Sequence, residues 1–186
     1  MSINKSLTIQ ETFNIAVKNH QEGKTEVAKE LYNRVLKIDP NHSQALKNIA
    51  IIFINLKDYQ KAKECYEKAV EIDPNSADAY YNLGIIFKEL KEYQKAKSCY
   101  EKADNIQPNN TIIQTNLGII FNDLGEYQKA KDCYEKAIKI NPDNGKAHYN
   151  LGVIYKDSGD LQKAKIFFKK VIEFNPNEQD THNSLG

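Results

Sequence analysis

The prolines of this sequence recur at one fixed interval. All five stand 34 residues apart, at Pro40, Pro74, Pro108, Pro142 and Pro176. A fixed period of this length is typical of stacked repeats, in which each unit contacts mainly its neighbours along the chain. The sequence therefore predicts a row of similar small units and argues against one globular core.

Each repeat is predicted to hold two amphipathic helices. In residues 77–110, apolar or small side chains follow the i, i+3, i+4, i+7 spacing of one helix face, at Tyr80, Leu83, Gly84 and Phe87. A second helix with the same pattern ends before Pro108, because proline cannot continue a helix. Below, the two are called the first and second helix of a repeat. The pattern predicts an all-α fold.

The turns and the small residues support this assignment. Ser76 is predicted to cap the first helix of the repeat that follows it, residues 77–110. Each inter-helix turn needs a residue in the left-handed conformation, and the candidates are Gly23, Lys57, Lys91, Gly125 and Gly159. A glycine and an alanine are also predicted to face each other across the turn and let the two helices cross closely, in the pairs Gly84–Ala96, Gly118–Ala130 and Gly152–Ala164.

These positions together carry a family resemblance. The pattern Tyr80, Leu83-Gly84, Phe87, Ala96, Tyr100, Ala103 and Pro108 resembles the tetratricopeptide repeat. The resemblance implies a right-handed superhelical solenoid of antiparallel helix pairs, with the first helices lining a concave side. The five repeats are then 9–42, 43–76, 77–110, 111–144 and 145–178. Residues 1–8 are expected to be a lead-in, and 179–186 the start of a truncated sixth first helix.

Three columns of residues are predicted along the first helices, from helical spacings of four, three and four. The first column is asparagine, at Asn14, Asn48, Asn82, Asn116 and Asn150. The second is aliphatic, at Val17, Ile51, Ile85, Ile119 and Val153. The third is acidic, at Glu89, Asp123 and Asp157. A side-chain amide both donates and accepts hydrogen bonds, so such a column suits the backbone of an extended peptide.

Two subgroups of the family offer comparisons for this face. The asparagine column is similar to the concave asparagine ladder of the O-linked N-acetylglucosamine transferases. The carboxylate clamp of the chaperone-tail binders is expected to be absent, because Lys47 has Ile51 and Ile112 as companions instead of asparagines. An alternative stays open, in which the asparagines bond only to water or to neighbouring helices.

Composition and the scattered reactive residues exclude several classes of function. With 26 basic and 25 acidic residues, the net charge of +1 favours neither nucleic acid nor an anionic membrane. No apolar run is long enough to span a bilayer, and no secretory signal is visible, so we expect a cytoplasmic or nuclear protein. Cys65, Cys99 and Cys133 are 34 residues apart and predicted to be reduced. His148 and His182 lack companions at metal-ligand spacing.

The sequence thus predicts a protein–protein interaction scaffold that binds a peptide segment in its concave groove. No catalytic constellation is visible, so we expect neither an enzyme, nor a cofactor, nor a metal. One alternative is the substrate-selecting arm of a larger glycosyltransferase. Another is a self-associating module that uses its C-terminal end, where Phe168, Val171 and Ile172 are expected to leave apolar surface uncovered.

Overall fold

The computed structural model describes residues 7–174, and every regular element within that range is an α-helix. The helices are α1 (Ile9–Gln21), α2 (Thr25–Ile38), α3 (Ser43–Asn55), α4 (Tyr59–Ile72), α5 (Ala77–Glu89), α6 (Tyr93–Ile106), α7 (Thr111–Asp123), α8 (Tyr127–Ile140), α9 (Gly145–Asp157) and α10 (Leu161–Phe174). The all-α prediction is confirmed. The helix expected at 179–186, like residues 1–6 of the lead-in, lies outside the described residues.

The helices pack in sequential order within two compact units. The N-terminal unit holds α1–α5 and the C-terminal unit holds α6–α10. In the N-terminal unit, α1 packs on α2 and α3 on α4, while contacts of α2 with α3 and of α4 with α5 join successive repeats. In the C-terminal unit the pairs are α7–α8 and α9–α10, joined by α6–α7, α8–α9 and α7–α9 contacts. Each helix therefore contacts helices close to it in sequence, as a repeat architecture requires.

Polar side chains begin most of the helices. Thr8 and Glu11 form a reciprocal capping box at the start of α1, where the Thr8 hydroxyl accepts from the Glu11 backbone N–H. The Asn144 carbonyl oxygen accepts from the Ala147 N–H at 3.0 Å and starts α9 in a similar way. The predicted cap at Ser76 is wrong in one respect: its hydroxyl donates to the Asp78 carboxylate at 2.7 Å and makes no bond to the backbone.

The left-handed turn residues were predicted correctly. Gly23, Gly125 and Gly159 have φ angles of 74°, 76° and 83°. Lys57 and Lys91 hold the same conformation, at 59° and 60°, in the repeats that lack the glycine. A residue with a Cβ is strained there by roughly 1–2 kcal/mol, because the Cβ approaches the following carbonyl oxygen.

One buried aromatic ring in each second helix fills the core. These rings recur every 34 residues and are at most 1% exposed, at Tyr32, Tyr66, Tyr100, Tyr134 and Phe168. In the fourth repeat the ring of Tyr134 lies directly over the backbone of Gly118, where a Cβ would be 2.6 Å from Cε1. Phe168 covers Gly152 in the same way. Both glycines therefore make room for an aromatic ring, whereas the sequence had predicted an alanine opposite them.

The apolar surface expected at the end of the fifth repeat is smaller than predicted. Phe168 is 1% exposed and Val171 fully buried, while Ile172 is half-buried. Phe168 packs against Gly152 and lies 5.7 Å, between ring centroids, from Tyr149 of its own repeat. The expectation that Phe168 and Val171 form an uncovered patch is therefore wrong, because they point toward α9.

Candidate functional site

The predicted columns lie on an accessible side of the first helices, which we call the first-helix face. In the N-terminal unit it comprises Asn14, Val17, Asn48, Ile51, Asn82, Ile85 and Glu89; in the C-terminal unit, Asn116, Ile119, Asp123, Asn150, Val153 and Asp157. The aliphatic members are partly exposed, whereas the isoleucine that follows several of them is buried. Ile51 is 38% exposed and Ile52 is 0% exposed. The face therefore presents apolar side chains that the fold itself does not cover.

Two neighbouring first helices form a cleft in the N-terminal unit, called here the α1–α3 cleft. It encloses about 260 Å³ and is lined by Val17, His20, Gln21, Tyr32, Asn48 and Ile51. Val17, Asn48 and Ile51 are members of the predicted columns, so helices from different repeats do bring these residues together. The other three were not predicted as site residues, although His20 and Gln21 lie one helical turn beyond Val17, at i+3 and i+4.

Tyr32 lies at the base of this cleft. Its side chain is fully buried, and burial raises the pKa of its hydroxyl, while the Asn48 side chain beside it opposes the shift. The phenol therefore stays neutral at physiological pH, and its buried hydroxyl lies beside the Asn48 side chain. The cleft combines this polar pair with the apolar surfaces of Val17 and Ile51.

The asparagine amides are oriented by their own helices. The Asn82 side chain donates to the Asp78 carbonyl oxygen at 2.7 Å, and Asn116 donates to that of Ile112 at 2.9 Å. Each bond uses one of the two amide hydrogens, since an amide group carries two donors and an acceptor oxygen. The back-bond limits side-chain rotation, so a ligand would lose less entropy in ordering the amide.

The column is not equally accessible along its length. Asn116 is only 9% exposed, whereas Asn48, Asn82 and Asn150 are half-buried and Asn14 is exposed. Asn116 lies on α7, which packs against α6, α8 and α9.

The charged residues of the face differ in how they are paired. Glu89, Asp123 and Asp157 are exposed, and Glu89 lies 3.3 Å from the Lys88 ammonium. Lys47, the one candidate for a carboxylate clamp, is bound to Asp78 at 3.0 Å, with 13% of its side chain exposed. A terminal carboxylate would have to displace Asp78 from that ammonium. This geometry does not favour a clamp.

A second cleft lies between α8 and α9 in the C-terminal unit, called here the α8–α9 cleft. It encloses about 270 Å³ and is lined by Asn122, Tyr127, Lys131, Ile154, Asp157 and Ser158. Only Asp157 had been predicted as a site residue. The signal that the sequence did offer is Ser158, which replaces the leucine found at the same position in repeats two to four.

The reactive residues elsewhere are structural. None of the three cysteines is in a disulfide, and burial raises the pKa of Cys65 to about 11 and that of Cys133 to about 12, so neither of these two is a thiolate near neutral pH. Cys133 is buried, whereas Cys65 and Cys99 are half-buried. His148 is buried and its Nε2–H donates to the Pro142 carbonyl oxygen at 2.8 Å. Within residues 7–174, no group of three or more His, Cys, Asp or Glu is placed to hold a metal ion.

The helices also fail the requirements for a bilayer span. Each of the ten helices in the described range is 13 or 14 residues long, and none combines the length and apolarity that crossing a membrane needs.

The fold and this repeated face define a class of protein. Tetratricopeptide repeat models match residues 13–42, 43–76, 65–98 and 145–178, and a TPR repeat model matches residues 120–159. The chain belongs to the tetratricopeptide repeat family, and the resemblance found in the sequence is confirmed. Comparison with curated protein sequences gave no match.

Several solved structures share this fold. A crystal structure of MamA is 30% identical in sequence, with a TM-score of 0.82 over 89% of this chain and 97% of that one. YrrB, a TPR protein with an unusual peptide-binding site, is 21% identical, with a TM-score of 0.83 over 95% and 91%. PilF of Pseudomonas aeruginosa is 21% identical, with a TM-score of 0.80 over 93% and 79%. The last two similarities establish the fold alone.

Proposed function

We propose that this protein is an interaction scaffold that binds an extended peptide segment of a partner protein along the first-helix face. The observation that carries the proposal is the α1–α3 cleft, where Val17, Asn48 and Ile51 from two repeats line one cavity. A cleft with apolar walls and a few fixed polar groups is the usual form of a ligand site.

The contacts follow from the chemistry of the columns. Apolar side chains of the peptide would pack on Val17 and Ile51, and burial contributes about 25 cal/mol per Å² of apolar surface. The asparagine amides would pair with the peptide backbone, which offers a donor and an acceptor at each residue whatever its side chain. Asp123 and Asp157 would favour basic side chains in the segment that crosses the C-terminal unit.

Two features favour a peptide over a folded domain as the ligand. The cleft is small, with a volume of about 260 Å³, and its column members are side chains that recur at a fixed sequence interval. Asparagine side chains at a regular spacing match the regularly spaced N–H and C=O groups of an extended peptide better than they match the irregular surface of a folded domain. YrrB, which shares the fold over most of this chain, has a peptide-binding site, so the fold is compatible with this function.

The test begins with peptides selected from a random linear library against the intact protein. Binding is then measured by calorimetry with wild type, with Asn48→Ala/Ile51→Ala, and with the control Glu67→Ala/Glu135→Ala. The control residues are exposed on second helices, one in each unit. Loss of one neutral hydrogen bond costs about 0.5–1.5 kcal/mol, and the lost isoleucine contact adds to it.

We therefore expect the cleft variant to weaken binding at least about five-fold and the control to leave it unchanged. Thermal unfolding of each variant separates loss of binding from loss of folding. Light scattering over a concentration series tests the self-association alternative on the same samples. If the cleft variant binds the selected peptides as wild type does, or if only the control loses affinity, the first-helix face is not the site.

A further inference from the structure

The α8–α9 cleft exists where one side chain of the repeat is unusually short. The residue directly after each first helix, its C-cap, is Leu56, Leu90 and Leu124 in repeats two to four, but Ser158 in the fifth. The Ser158 hydroxyl donates to the Tyr155 carbonyl oxygen at 3.0 Å, so the side chain is folded back on its own helix. A leucine would extend into the space that Ser158 leaves open beside Tyr127 and Ile154.

The charges around the cleft also differ from those of the preceding repeat. There, Lys97 lies 3.6 Å from Glu126. The corresponding pair one repeat later is Lys131 of the fourth repeat and the shorter Asp160 of the fifth, and no ion pair within 4.0 Å joins these two residues. Asp160 keeps its bond to Lys163, at 2.9 Å, as Glu126 keeps its bond to Lys129. The Lys131 ammonium lies 5.6 Å from the ring centroid of Tyr155. Lys97 makes the same kind of contact with the Phe121 ring, at 5.8 Å, so the difference one repeat later is the missing carboxylate partner of Lys131.

Asp157 is the anionic group of the cleft. It is exposed, and among the described residues no basic side chain lies within 4.0 Å of its carboxylate. Tyr127, 58% exposed, and Ile154 supply the apolar walls. The cleft therefore combines the apolar surfaces of Tyr127 and Ile154 with the Asp157 carboxylate and the Ser158 oxygen. Lys131 also lines it, with its ammonium held over the Tyr155 ring.

We infer that the α8–α9 cleft binds a lysine or arginine side chain of the peptide partner. The aliphatic stem packs between Tyr127 and Ile154, and the cationic head reaches Asp157 and the Ser158 oxygen, since long basic side chains bury their stems and keep the charge hydrated. Asp157 belongs to the same acidic column as Asp123, so the charge preference continues along the face. The inference rests on the proposed function, because it assigns one anchoring residue of the peptide.

The test uses small probes, so that it does not depend on the peptide. The intact ¹⁵N-labelled protein is titrated with the N-acetyl, N′-methylamide derivatives of lysine, glutamate and leucine, and backbone amide shifts are followed by NMR. The lysine probe should shift the amides of 127–131 and 154–158 in a saturable manner and bind more tightly than the other two. Preferential binding of the glutamate probe, or no saturable shift with the lysine probe, overturns the inference.

Substitutions at three positions of the cleft sharpen the result. Ser158→Leu should abolish the shifts while Ser158→Ala keeps them, and the leucine variant should fold, because leucine occupies this position in three other repeats. Asp157→Asn should weaken the lysine probe about two- to five-fold, as expected for an exposed ion pair. Lys131→Met should strengthen it by removing a like charge. Weaker binding in Lys131→Met would show that the cleft binds an anion.

A last variant separates this inference from the proposed function. Asn82→Ala/Asn150→Ala, at two half-buried members of the column, should weaken binding of the library-selected peptides and leave the lysine-probe shifts unchanged. If this variant binds the lysine probe and also binds the selected peptides as tightly as wild type, the proposed function is refuted and the cleft remains a binding site. If the variant weakens peptide binding as expected but the protein does not prefer the lysine probe over the other two probes, only the inference about the cleft is refuted.

Discussion

Gly118→Ala tests the close approach of an aromatic ring to a helix backbone. The new Cβ would lie 2.6 Å from Tyr134 Cε1 and 2.8 Å from Cδ1, about 1 Å inside ordinary carbon–carbon contact. Tyr134 is 1% exposed and cannot move outward without disturbing the core. Overpacking of this kind costs about 1–3 kcal/mol, and the better helix propensity of alanine offsets up to about 1 kcal/mol.

We therefore expect a net loss of up to about 2 kcal/mol, measured by urea unfolding. The matched control is Gly145→Ala, where no heavy atom lies within 4 Å of the new Cβ, and which should not destabilise the protein. In a Tyr134→Leu background the penalty of Gly118→Ala should disappear, with a coupling energy of about 1–3 kcal/mol. An equal penalty in both backgrounds would show that the ring is not the cause and would refute the packing argument.

The other predictions concern the thiols, the buried histidine and one turn. Cys65, Cys99 and Cys133 should all titrate as free thiols after unfolding, and iodoacetamide at pH 8 should modify native Cys133 slowly, because burial raises its pKa to about 12; rapid native labelling would contradict this. Burial lowers the pKa of His148 below 6.5, so the stability it contributes is present above pH 6.5 and is lost as the pH falls through the folded-state pKa. The free energy of unfolding of His148→Leu should lack this decrease at acid pH. A pH dependence equal to that of wild type would contradict the prediction. Lys57→Gly should unfold at higher urea than Lys57→Ala, because only glycine relieves a strain of roughly 1 kcal/mol at a φ of 59°; equal midpoints would exclude that strain.

The helices could be predicted because their signals are local. Spacing of apolar residues, prolines after second helices and glycines in turns all act within a few residues, and even the left-handed Lys57 followed from its alignment with Gly125. The period of 34 then gave the order of contacts without knowledge of any side-chain position.

The details of packing could not be predicted, since they depend on side-chain directions between helices. The glycine–alanine pair of Gly118 and Ala130 recurs in repeats three to five, yet Tyr134 is the residue that covers Gly118. Asn116 occupies the same repeat position as Asn82 but is almost buried, whereas Asn82 is half-buried. Helical spacing places a residue on a face and does not determine how much its neighbours cover it.

The columns were predicted, whereas the clefts were not. Val17, Asn48 and Ile51 were correctly expected on one face, but the enclosure by Tyr32 required the second helix to be in place. Ser158 was visible in the sequence as a departure from leucine, and its consequence became clear only from the positions of Tyr127 and Ile154.

The central claim is that a peptide occupies the first-helix face, and NMR of the side-chain amides tests it most directly. In a titration of ¹⁵N-labelled protein with a library-selected peptide, the Asn48 and Asn150 NH₂ signals should shift and show intermolecular nuclear Overhauser effects to the peptide backbone. Backbone amides of the second helices, such as that of Glu67, should remain in place. Unshifted asparagine side chains together with shifted second-helix amides would contradict the account.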